Sequence, residues 1–191
     1  MITEIILASA SPRREQLLKQ IGLVFRIIPS EAAEDKIEAT LPEQYVQKCA
    51  LEKATMVWQQ VNSGDIVIGA DTVVVLDGIL YGKPKDESEA KRMLESLAGR
   101  THSVWTGLAV VSAAGQVTRA VETRVTLALL SSGQIERYIA SGEPMDKAGA
   151  YAVQGLGATF VERVDGCYYN VVGLPLQTLA QILATLGVVL P

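Results

Sequence analysis

Ile66-Val67-Ile68-Gly69-Ala70-Asp71-Thr72-Val73-Val74-Val75-Leu76, followed by Asp77-Gly78 and Ile79-Leu80-Tyr81, decides the fold class. The β-branched run predicts a buried central strand. Asp77-Gly78 is a strong hairpin signal, with Ile79 to Tyr81 as a short return strand. Upstream, Pro42 to Val61 reads as a long helix, with Tyr45, Cys49 and Met56 on one stripe and Asn62-Ser63-Gly64 as its stop. Before it, Glu4 to Ala8 is a short buried strand, Arg13 to Ile21 a helix ended by Gly22, and Leu23 to Pro29 extended. Downstream, a helix begins at Lys85 with Met93, Leu94 and Leu97 inward. Ser103–Ser112 and Gln116–Leu130 form a strand pair across an Ala-Ala-Gly turn. Gln134–Ala140 is a helix, Thr159–Val164 a last strand, and a C-terminal helix carries Leu179, Ile182, Leu183 and Leu186. At least two connections are too short for a crossover helix, so an α/β protein with a mixed sheet is expected. No composition break divides residues 1–191, which read as one α/β unit that can carry two lobes.

Composition excludes several classes. The chain has 191 residues, 49% hydrophobic and 20% charged, which is ordinary for a globular protein and unlike a disordered one. A net charge of −4 argues against a nucleic-acid partner, since a phosphate backbone calls for a basic footprint. It leaves room for a small anion held by a local basic cluster. Cys49 and Cys167 are too few and too far apart for a disulfide framework, and a lone histidine, His102, makes a His-based zinc site improbable. Met1-Ile2-Thr3-Glu4 lacks a basic leader region, and the C-terminal apolar segment is amphipathic, so a cytoplasmic protein without a membrane partner is expected.

Five segments are candidates for chemistry. In Ala8-Ser9-Ala10-Ser11-Pro12-Arg13-Arg14, Ser11 fits an N-cap and Pro12 the first helical position. Two arginines there oppose the helix dipole. Either they are solvated, or an anion sits among them, met by backbone N–H groups, the Ser9 and Ser11 hydroxyls and the guanidinium forks. Asp71 stands in a strand too apolar for an unpaired carboxylate: it reaches solvent past Gly69, or it is a general base or metal ligand. Lys83, in Gly82-Lys83-Pro84, and Lys53, in Glu52-Lys53-Ala54, read alone as surface charges. The Gly-rich stretch from Gly142 to Gly157 contains an Asp146-Lys147 pair and lets backbone approach a ligand, as ordinary turns also do.

Together, Ser9-Ala-Ser11-Pro-Arg13-Arg14, Glu-Lys53-Ala, Gly-Ala-Asp71-Thr72-Val-Val, Gly82-Lys83-Pro84, Thr101-His102-Ser-Val-Trp-Thr-Gly107, Asp146-Lys147-Ala-Gly-Ala-Tyr151-Ala-Val-Gln154-Gly and Val172-Gly-Leu-Pro175 occur in an order that resembles the Maf family of nucleoside triphosphate pyrophosphatases, from Leu7 to about Leu176. The resemblance implies a mixed, elongated central sheet flanked by helices, with two lobes and a cleft, like the inosine triphosphate pyrophosphatases. It implies hydrolysis of a nucleotide between its α- and β-phosphates with a divalent cation (magnesium, manganese or cobalt), by a homodimer. It assigns the proton acceptor to Asp71 and phosphate binding to Arg13, Arg14, Lys53 and Lys83; Ser9, whose hydroxyl faces the same anion in the reading above, joins the substrate-binding set. Of the carboxylates Glu31, Glu34 and Asp35, it assigns Glu34 to the metal, together with Asp71. Arg13, Thr72 and Gln154 fall on its selectivity positions, and Lys147 with Gln154 resembles the branch acting on dTTP and UTP. A carboxamide both donates and accepts, matching the O4 acceptor and N3–H donor of uracil or thymine. An alternative within the same family is a nucleotide-binding regulator of cell division and septum formation, with catalysis secondary.

Overall fold

The computed structural model describes residues 4–31 and 41–190. Strands β1 (Ile5–Leu7), β2 (Arg26–Ile27), β3 (Ile66–Leu76), β4 (Ile79–Tyr81), β5 (Thr101–Ser112), β6 (Gly115–Leu127) and β7 (Val161–Asp165) form one seven-stranded sheet. Its order is β2-β1-β3-β5-β6-β7, and β4 pairs with β3. β1 is parallel to β2 and to β3, in the second case with Ile6 opposite Val67 and Leu7 opposite Ile68. β3–β4 and β6–β7 are antiparallel, so the sheet is mixed as its short connections require. The α-helices among the described residues are α1 (Pro12–Gln20), α2 (Pro42–Trp58), α3 (Glu87–Leu97), α4 (Ser132–Ala140), α5 (Tyr168–Val172) and α6 (Leu176–Thr185).

The chain divides into two compact units: Met1–Asp71 with Thr106–Val121 and Gly173–Pro191, and Thr72–Trp105 with Glu122–Val172. In the first, alternation along β3 places Val67, Gly69 and Asp71 on one face. Ala50, Ala54 and Val57 of α2 cluster there with Val67, Ile6, Ala8, Ala109 and Val111. The helix lies unusually close to the strands. A Cβ on Gly69 would collide with the Ala50 carbonyl oxygen, and one on Gly107 with that of Val46. Two glycines thus leave a shallow trough into which the α2 backbone settles. α6 buries Leu179, Ile182 and Leu183, as its spacing predicts, together with Leu176, whereas Leu186 caps its end and is only half-buried; no helix among the described residues is long and apolar enough to cross a membrane.

In the second unit, Asp77 (φ 52°) and Gly78 (φ 78°) form the two-residue hairpin turn expected between β3 and β4. Val74 and Leu76 meet Met93, Leu94 and Leu97 of α3 and Ile135, Tyr138 and Ile139 of α4 in one core. Asp86 caps α3 by accepting from Glu89 N at 2.7 Å. A reciprocal Ser131–Gln134 capping box starts α4 two residues before the predicted boundary. The predicted strand from Thr159 begins only at Val161, because Gly155–Phe160 winds into a 3₁₀ turn. The helix α5 was not foreseen. Buried Asn170 on α5 donates to Val104 O and Thr123 Oγ1, both at 3.0 Å, so a polar hub rather than an apolar stripe holds it. Neither cysteine forms a disulfide.

Candidate active site

The β1–α1 turn supplies the first group. Ser11 occupies the N-cap position with Pro12 behind it, but its side chain makes no capping bond. Ser9 shapes the turn before it: its buried Oγ accepts from Ser11 N at 3.2 Å and from Arg14 Nη1 at 3.3 Å, leaving the first helical N–H groups without a side-chain cap. With both bonds accepted, the Ser9 hydroxyl keeps its own proton to donate, and a phosphate oxygen is a suitable acceptor. Arg14 Nε also donates to the carbonyl of Gly173 at 2.8 Å. Its guanidinium therefore ties the start of α1 to the segment before α6, which accounts in part for a cation at the positive end of a helix. Arg13 lies beside it on the first turn, half-buried.

Asp71 is the centre of the second group. It sits at the end of the first unit's share of β3, on the face covered by α2, and is 7% exposed. Lys53, one turn after Ala50 on α2, places Nζ 2.6 Å from Asp71 Oδ1. The seating of α2 against Gly69 sets that reach. The buried carboxylate is thus paired with Lys53 and does not stand in open solvent at a strand edge, an arrangement that a structural ion pair and a general base share. Asp71 Oδ2 takes no hydrogen bond from the described residues and is left to accept a proton or a cation. Lys53, a surface charge when read alone and a phosphate ligand by the resemblance, is brought to Asp71 by the fold.

The remaining expected residues lie in the second unit. Thr72 follows Asp71 on β3 and is half-buried. Lys83 is exposed in the segment after β4. That segment is joined to the Gly-rich loop, since Gly149 N donates to Gly82 O at 3.0 Å. Gly149 (φ 69°) also passes Val74 so closely that a Cβ would lie 2.9 Å from its methyl carbon. The loop then turns through Ala150, which holds φ 58°, a left-handed conformation costing an alanine about 1 kcal/mol. Tyr151 anchors it: its hydroxyl lies 2.6 Å from His102 Nε2 in the interior. Burial pushes the His102 pKa down to about 4 and the Tyr151 hydroxyl up, so both stay neutral. Lys147 Nζ is bound at 2.6 Å to Glu143 O and to Asp146 Oδ1. Gln154 is half-buried, just before the 3₁₀ turn, and its carboxamide has no partner among the described residues.

Glu34 lies outside the described residues. Among the described residues no group of three His, Cys, Asp or Glu side chains could enclose a metal ion. The donor set present, one carboxylate with an unbonded oxygen, suits a hard cation that keeps most of its ligands from water and substrate phosphates.

Known proteins match along nearly the whole chain. The dTTP/UTP pyrophosphatase of Gloeobacter violaceus is 48% identical over 184 residues, 96% of each chain. That of Desulforamulus reducens is 50% identical over 187 residues, 96% of this chain and 97% of its own. The nucleoside triphosphate pyrophosphatase of Xylella fastidiosa strain M23 is 50% identical over 182 residues, 94% of this chain and 96% of its own. These relatives give no support to the cell-division alternative. A model of the family described as Maf-like protein spans residues 4–186, and the chain belongs to that family.

Proposed function

We propose that this protein is a nucleoside triphosphate pyrophosphatase that hydrolyses dTTP and UTP at the α–β phosphoanhydride, releasing the monophosphate and pyrophosphate. The observation that carries this reading is the buried Lys53–Asp71 pair, in a chain whose relatives, named for that activity, match it from end to end. Asp71 takes the proton of the attacking water through the oxygen that Lys53 leaves unbonded. Lys53, already beside the reacting carboxylate, stabilises charge growing on the phosphoryl oxygens, and Arg13, Arg14 and Lys83 bind the remaining phosphates. Ser9 donates its hydroxyl to a phosphate oxygen. Thr72 and Lys147 contact the nucleotide, and Gln154 reads O4 and N3–H of the base with its carboxamide. A divalent cation (magnesium, manganese or cobalt) would be held by Asp71 and Glu34 together with substrate oxygens, and would spread charge off the triphosphate.

The same reading makes the enzyme a cytoplasmic homodimer, a state that light scattering of the purified chain would test. Its activity is tested by pyrophosphate release from dTTP, UTP, CTP, GTP and 7-methyl-GTP with wild type and Asp71→Ala. Turnover confined to dTTP and UTP and lost in the variant is expected. Silence on all five nucleotides, or an active variant, would overturn it.

A further inference from the structure

Glu143 has no part in the mechanism above, yet its carboxylate accepts three hydrogen bonds. Gly142 (φ 75°) ends α4 and turns the chain so that Glu143 begins a short 3₁₀ turn, Glu143–Asp146. Its carboxylate then reaches across the loop. Oε1 accepts from Gly157 N and from the Tyr138 hydroxyl, both at 3.0 Å, and Oε2 accepts from Leu156 N at 2.9 Å. Burial alone would raise this carboxyl. The two backbone N–H groups, the Tyr138 hydroxyl and the charge of Lys147 overcome it and hold the group below the ordinary glutamate value.

Three further details fit the same clamp. Gly155 (φ 67°) has to lack a side chain, because a Cβ there would lie 2.6 Å from Glu143 Oε2. Tyr138 is itself fixed in the core, edge-on to Phe160. On the other side, Lys147 Nζ donates to the backbone oxygen of Glu143 at 2.6 Å. One residue therefore fixes both Lys147 and the turn that Gln154 immediately precedes.

The chemistry requires a carboxylate. All three groups facing it are donors, and a carboxylate accepts at both oxygens. A glutamine would present an NH₂ group to one of those donors and leave a backbone N–H opposed. The isosteric change should therefore open the clamp, not merely weaken it.

We propose that Glu143 is the positioning residue for base selection: it holds the Gln154 carboxamide where a pyrimidine nucleotide presents O4 and N3–H. The inference rests on the proposed reading of Gln154. The test compares wild type with Glu143→Gln and Tyr138→Phe in kcat and KM for UTP, CTP and GTP, alongside hydrogen exchange at the Leu156 and Gly157 amides. Glu143→Gln should raise KM for UTP about tenfold with kcat changed less than about twofold, and should flatten the preference for UTP over CTP and GTP. Exchange at both amides should quicken by a similar factor. Tyr138→Phe, which keeps both amide bonds, should show the same pattern at smaller amplitude and serves if Glu143→Gln does not fold. Loss of amide protection with the UTP preference intact would mean a purely structural brace and overturn the proposal, as would a parallel fall for all three nucleotides. Should wild type hydrolyse none of them, the functional reading fails by itself. Calorimetric binding of UTP and GTP then decides the positioning role, and unchanged relative affinities in Glu143→Gln refute it.

Discussion

Removing either member of the Lys53–Asp71 pair should destabilise the first unit far more than removing both. At 2.6 Å the gross attraction is about 6 kcal/mol at an effective dielectric of about 20, and most of it offsets the desolvation of two charges. The side chains are 12% and 9% exposed, which places the pair in the buried class, where deleting one partner costs about 3 kcal/mol, not among surface pairs. For a chain of this size that is a fall in Tm of roughly 6–12 °C. Lys53→Met and Asp71→Asn should each show it, the first by stranding the buried Asp71 carboxylate and the second by removing the negative charge that Lys53 faces at 2.6 Å. The double variant should recover to within about 1 kcal/mol of wild type, a coupling of several kcal/mol in a double-mutant cycle. Activity must not follow stability. Asp71→Asn should lose about 10²–10⁴ in kcat as a general base does, and the double variant should stay equally inactive while folded. Urea unfolding beside pyrophosphate release separates the two quantities. Additive stability losses, or a double variant that regains turnover, would refute the buried-pair argument.

Other outcomes follow from neighbouring features. Gln154→Glu should lower kcat/KM for UTP and dTTP by about 10²-fold while affecting GTP much less, since a carboxylate cannot donate to O4; steady-state kinetics on the three nucleotides checks it. Gly69→Ala puts a methyl into the Ala50 carbonyl and should cost at least about 2 kcal/mol, read by urea unfolding, with a fall in kcat as Lys53 is pushed from Asp71. His102 has a folded pKa near 4 against about 6.5 unfolded, so the unfolded chain binds the proton first. Stability is whole above about pH 6.5 and falls by up to about 3 kcal/mol as the pH drops toward 4. His102→Gln should flatten that slope in acid titrations of unfolding.

Strand β3 and its hairpin were legible because each rests on local chemistry: a β-branched run, then two residues that accept positive φ. The N-terminal motif was legible as a position but not as a bonding pattern, since Ser11 stands at the cap while Ser9, two residues earlier, takes the bonds. Asp71 could be singled out because burial of a charge is anomalous wherever it occurs. Its pairing with Lys53, which the family resemblance placed only on phosphate, could not, because Lys53 reaches it through the packing of α2 on β3, which no local pattern encodes. Glu143 escaped for a similar reason: its donors lie 13 and 14 residues downstream, and a glutamate before a proline reads as an ordinary turn. A hint was present in Gly155 and Gly157, whose lack of Cβ makes room for that carboxylate and for Tyr138. Helix α5 was missed because a buried amide, not hydrophobic spacing, fixes it.

The glycine trough beneath α2 has a consequence for how the reacting pair responds to change elsewhere. Where two elements meet through interleaved side chains, their spacing follows the volumes of those side chains, and each substitution resets it. At Gly69 and Gly107 the strands meet the helix main chain to main chain, and the distance is a property of the polypeptide itself. Drift in the surrounding aliphatic residues can then alter stability without altering the gap that Lys53 must span. The same contact stops the helix from moving closer to the strands, so the alignment of ammonium and carboxylate is dimensioned by the backbone of the scaffold.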